Sequence, residues 1–185
     1  MSALRWQRWW WSCVLLGGIL WLGGGAVRAV SVYAVFRPFT LELDPELSAQ
    51  ERLQVYRIAA RATPYVLAGG ALACVGLCAI GIQERHRLRQ RGWLFMVLVL
   101  AALALPVELW LLVGYDIPLL RAIVWGEPTV EALDALLLRR AQAAGAAAGL
   151  ATLAEWTIAL LCVWRPLERA EHVRNALEGV GAGAA

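Results

Sequence analysis

Four apolar stretches constrain this chain more than any other feature: residues 9–36, 64–82, 92–115 and 143–164. Crossing roughly 30 Å of hydrocarbon takes about 20 helical residues, and each stretch is of that order. Water cannot satisfy backbone amides at that depth, so each stretch must close its hydrogen bonds internally, as a helix does. Charged residues make up 17% of the 185, well below the roughly 25% usual in soluble domains. The expected fold is therefore all-α: a four-transmembrane-helix bundle with two short extracytoplasmic amphipathic helices. A single integral membrane domain would cover residues 1–185, with 165–185 as a cytoplasmic tail.

The first stretch raises the question of a secretion signal. Arg5 and Arg8 precede it, and Val27-Arg28-Ala29 resembles a small-residue cleavage site. A signal's apolar core runs only about 7–15 residues. Here apolar character resumes after Arg28 and continues through Val30, Val32, Tyr33, Val35 and Phe36, so the segment reads as a retained span.

Orientation follows from arginine in the short loops. Residues 84–91 carry four arginines against one acid, and Arg165, Arg169 and Arg174 follow the last stretch. The longer connections, 37–63 and 116–142, mix both signs. Both termini and the basic loop are thus expected in the cytoplasm of a cell, with a bacterial inner membrane the expected location.

Each longer connection contains a helix signal. Ser48 and Glu51 have capping-box spacing, and Leu53, Tyr56 and Ala60 then recur on one helical face. Thr63-Pro64 reads as the cap and first residue of a new helix, giving an amphipathic helix over 48–61. The second connection repeats the pattern with Val130, Leu133 and Leu137, and no proline separates it from the fourth stretch. An offset of 83 relates Pro45 to Pro128, Ala49 to Ala132, Glu51 to Asp134, Leu53 to Leu136, Arg57 to Arg140 and Trp10 to Trp93. That register suggests a duplicated unit of span, outer helix and span.

Small residues mark faces where helices can approach closely. Gly145 and Gly149 form a GxxxG, Gly69, Ala73 and Gly76 a stripe on the second span, and Gly18 with Gly25 one on the first. In lipid such faces associate by backbone packing, which predicts packing within the bundle or docking of another subunit.

Three charges fall inside the apolar stretches: Arg28, Glu108 and Glu155. Each must face protein or water, because a charge facing lipid costs at least a few kcal/mol. Arg28 and Glu108 come out at matched depth near the outer side. They are expected to pair across spans one and three, with Pro106 locally opening the third helix. Glu155 lies near the middle of the fourth span, and is expected as a proton-carrying or ligand-contacting carboxyl or as a buried packing group.

Other chemistry is sparse. Cys13, Cys74, Cys78 and Cys162 all sit in apolar runs, which suits small apolar packing better than a metal site. His86 and His172 fall on the cytoplasmic side, away from any haem held between the spans. Trp6, Trp9, Trp10, Trp11, Trp93 and Trp164 gather at one membrane level, as an interfacial aromatic belt does. Stacking on a pigment, quinone or lipid is the alternative use, and the sequence names no cofactor. A net charge of +3 is too small for a nucleic-acid-binding face. The expected partners are the lipid bilayer and other membrane subunits or a second copy of this chain. With no catalytic signature, the first expectation is a non-catalytic accessory or scaffold subunit of a larger membrane complex. The alternative is a small multi-pass carrier or proton-pathway component using Glu155 and the Arg28/Glu108 region.

Overall fold

The computed structural model describes residues 3–37, 40–86, 88, 91–126 and 128–164. The side chains of residues 3–5 and 7 lie outside that description, as do Arg87, Arg89, Glu127 and the tail with Arg165, Arg169, His172 and Arg174. The chain forms α1 (Ala3–Tyr33), α2 (Ala49–Gln83), α3 (Gly92–Leu111), a π-helical turn (Leu112–Asp116), α4 (Ile117–Trp125) and α5 (Val130–Trp164). Four helical stretches are long and apolar enough to cross a membrane: Arg8–Tyr33, Ala49–Gln83, Gly92–Trp125 and Val130–Trp164. The protein is an all-α, multi-pass, four-helix membrane bundle.

The helices pair as two hairpins, α1 along α2 and α3 along α5. In the first, glycine lets two backbones touch. A Cβ built on Gly17 would lie 2.5 Å from the Ala73 amide nitrogen, and one on Gly69 2.5 Å from that of Trp21. Real Cβ atoms do not approach so closely, so the hairpin requires glycine at both positions. Gly24 and Gly76 continue the seam against Val66 and Val14. Gly69, Ala73 and Gly76 therefore face α1, but the matching stripe on α1 is Gly17 and Gly24. Gly18 and Gly25, expected on that face, have open space where a Cβ would stand. One residue turns a helix by about 100°, enough to carry the stripe off the interface.

Three helix boundaries differ from expectation, each for a local reason. The segment 48–61 is not a separate helix. Ser48 caps it, accepting from the Glu51 amide at 3.3 Å while its own amide donates to Glu51 Oε2 at 2.9 Å. The helix then runs through Pro64 to Gln83 without a break. Tyr56, Ala59, Ala60, Ala62 and Thr63 continue one buried face across the proline, so packing carries the helix past the amide that Pro64 lacks. The third span does not open at Pro106 or stop at 115. It passes Pro106 intact, widens into the π turn and continues as α4. Pro118 explains the place, because it has no N–H to give the Gly114 carbonyl one turn earlier. Residues 117–125, expected as loop, are thus helical. Finally, α5 does run on from the helix of the second longer connection, yet it breaks at Gly145, whose φ of 45° and ψ of −134° suit glycine alone.

Two apolar clusters hold the ends of the bundle. At the end bearing the longer connections, Val32, Val35, Phe36, Tyr56, Ala59, Leu119, Leu133 and Leu137 pack together. At the other, Leu77, Ile80, Trp93, Leu94, Val97 and Ala101 do so. A helix of 35 residues such as α2 is about 50 Å long at 1.5 Å per residue, which exceeds the hydrocarbon thickness. The first cluster is built on that excess and forms a cap. Thr129 starts α5 by accepting from the Ala132 amide at 3.3 Å, but it stands two residues short of the 83-residue offset from Ser48. The two hairpins echo each other in element order rather than residue for residue.

Candidate functional site

Between the cap and the opposite cluster lies a buried group of charges. Asp116 holds it together. Arg28 Nη1 of α1 donates to Asp116 Oδ2 at 2.5 Å, and Arg140 Nε of α5 donates to Oδ1 at 3.0 Å. Both carboxylate oxygens are used, and the residue is only 2% exposed. Arg28 Nη2 stands 3.6 Å from Glu108 Oε2, within ion-pair range but beyond a good hydrogen bond. The expected Arg28–Glu108 proximity is present, and Arg28's tighter partner is Asp116.

The π turn makes this possible. By inserting a wider turn just before α4, it holds Asp116 at the buried end of the widened segment, on the wall shared with α1 and α5. π-helical turns of this kind are frequent at functional sites. A second acid, Asp134 on α5, closes the cap above. It accepts from Arg52 Nη1 at 3.0 Å and from the Tyr56 hydroxyl, whose side chain is fully buried.

A cavity of about 390 Å³ borders the charge group. Arg28, Glu108, Arg140 and Glu155 line it, with Trp21, Tyr33, Thr152 and Trp156 among its walls. Its walls come from α1, α3 and α5. Glu155 Oε1 is shielded from solvent and makes no hydrogen bond among the described residues. A buried carboxyl oxygen without a partner is costly, and calls for a proton, a water or a ligand group to meet it. Below it a second cavity, of about 200 Å³, is apolar. The two share Trp21, Leu22 and Glu155.

The structure thus gathers Arg28, Glu108 and Glu155 around one space. Gly149 lines the same cavity and Gly145 does not, and among the described residues nothing lies within 4 Å of where a Cβ would stand on either. Gly69, Ala73 and Gly76 are spent on the α1–α2 seam. Among the described residues no three histidine, cysteine, aspartate or glutamate side chains converge as a metal site would require. Sequence reasoning missed Asp116 and Arg140 as members of the group, because both fell in a segment read as an outer loop. The missed signal was the run Ile117-Pro118-Leu119-Leu120, which keeps apolar character going past Asp116. Comparison with protein-family models, with curated proteins and with solved structures finds no match.

Proposed function

We propose that the protein is a small multi-pass carrier or proton-pathway component working through Glu155 and the Arg28–Asp116–Arg140 group. The observation that carries this reading is the unpartnered, buried Oε1 of Glu155 on the wall of a charged cavity. Charged side chains at membrane depth are expensive to keep, and they recur along proton and substrate routes. In this reading the arginines fix the electrostatics of the cavity and Glu155 carries the proton or meets the ligand. The arginine-rich 84–91 connection supports a cytoplasmic position for the opposite end, so that the charged cavity communicates with the outside. A bacterial inner membrane with both termini cytoplasmic fits the same counts.

A second reading keeps the protein as a non-catalytic subunit of a larger membrane complex. The observation favouring it is the break at Gly145, where among the described residues nothing lies within 4 Å of an added Cβ, leaving room for close approach by another helix.

One preparation tests both readings. Purified protein is reconstituted into vesicles with an internal pH dye, and its native mass is recorded after gentle extraction. The carrier reading expects the wild type to dissipate an imposed pH gradient faster than empty vesicles. Glu155→Gln should slow that flux about a hundredfold or more, the range for losing a positioned proton-transfer group. Wild-type flux no faster than empty vesicles, with a fixed heteromeric mass, would reject the carrier and support the subunit.

A further inference from the structure

We propose that the two cavities meeting at Glu155 are the head and tail compartments of one binding site for a zwitterionic aminophospholipid. This rests on the reading of the Glu155 region as a ligand site and names the ligand's chemistry.

The shape supports an amphipathic molecule. The charged cavity lies toward the cap and the apolar one toward the opposite end, and Trp21, Leu22 and Glu155 form the waist between them. The apolar compartment is walled by all four spanning segments, with Leu77 of α2, Leu105 of α3 and Ile158 of α5 among them. Its rim residues Leu15, Ile19 and Val163 are exposed on the outer face of the bundle, where a lipid chain can enter sideways from the bilayer. A chain leaving the head at Glu155 therefore has an apolar path already built.

The charges select the head. Arg28 and Arg140 each spend one N–H on Asp116, and a guanidinium has five. The remaining donors suit a phosphate, for which arginine is the preferred partner. The free oxygen of Glu155 suits an ammonium N–H. A purely anionic head would take up the spare guanidinium N–H groups but leave the Glu155 oxygen without a donor. A purely cationic head would meet that oxygen but leave the spare guanidinium N–H groups without an acceptor. A head with one phosphate and one primary ammonium meets both, and a quaternary ammonium cannot donate to Glu155.

The test uses delipidated full-length protein in detergent, titrated with an equimolar mixture of phosphatidylethanolamine, phosphatidylcholine and phosphatidylglycerol of identical chains. Bound lipid is read by native mass spectrometry. The wild type should retain phosphatidylethanolamine about tenfold over the other two, the size of one charge-assisted hydrogen bond. Glu155→Gln, which keeps shape, should erase that preference. Ala159→Phe, which fills the apolar compartment, should lower retention of all three lipids together. Equal retention of the three lipids by the wild type would overturn the proposal. So would a preference that survives Glu155→Gln, or displacement of the phospholipid by an isoprenoid quinone. Glu155-dependent proton flux without lipid selectivity would refute this inference and leave the proton-pathway reading standing. Lipid selectivity without flux would do the opposite.

Discussion

Replacing Asp116 by leucine is expected to destabilise the folded protein by about 3–5 kcal/mol, the scale for removing one partner of a buried ion pair. The size follows from its position. Its two oxygens accept from Arg28 and Arg140 at 2% exposure, and its single negative charge together with that of Glu108 balances the two guanidinium groups. Without it, two guanidinium groups share Glu108 as their nearby anion, and one positive charge is left over. Arg140→Leu alone should also cost stability, since Asp116 then leans on Arg28 only. The double variant Asp116→Leu/Arg140→Leu restores balance, because Arg28 keeps Glu108 at 3.6 Å. It should recover more than half of the Asp116→Leu loss. Thermal unfolding in detergent or lipid nanodiscs reads all three, and strictly additive losses would show that the charges act independently.

Gly69→Val should be nearly as damaging, and for a steric reason. A Cβ at Gly69 would lie 2.5 Å from the Trp21 amide nitrogen and 2.7 Å from the Gly17 carbonyl oxygen. Both are backbone atoms of α1, so no rotamer change relieves the clash. The α1–α2 hairpin must part, and the expected cost is at or above the upper end of the roughly 1–3 kcal/mol found for overpacking. Gly18→Val is the matched control, because nothing lies within 4 Å of the added carbon. It should change stability by no more than about 0.5 kcal/mol, as substitutions away from special features usually do. The same unfolding measurement compares them. Similar losses at both positions would mean that the backbone seam does not exist.

The spans were legible in the sequence because apolar length alone dictates them. Their ends were not, because the usual punctuation of soluble helices loses its force here. Thr63-Pro64 looks like a helix start, but a buried face running from Tyr56 through Val66 pulls one continuous helix across it. Asp116 looks like the first residue of a loop, yet the π turn folds it inward to meet two arginines that no local pattern links to it. Gly145 and Gly149 look like one continuous helical stripe, whereas Gly145 is a backbone break. The α1 stripe was misplaced by one residue because the first span offers five glycines between 17 and 25 and no polar face to fix its phase. For the candidate site, charge at membrane depth was enough to name Arg28, Glu108 and Glu155. Their common cavity and the two missing members needed the third dimension.

The central claim is that a charged cavity leads from the end bearing the longer connections down to Glu155. Thiol accessibility tests it directly, in a background with Cys13, Cys74, Cys78 and Cys162 replaced by serine or alanine. Thr152→Cys stands on the cavity wall, and Leu160→Cys faces outward and borders neither cavity. A thiol reacts as its thiolate, which requires water around it. A membrane-impermeant cationic reagent added outside should modify Thr152→Cys and spare Leu160→Cys, with Gln50→Cys as the positive control. Modification of Gln50→Cys but not of Thr152→Cys, or of Thr152→Cys from the cytoplasmic side alone, would contradict the account.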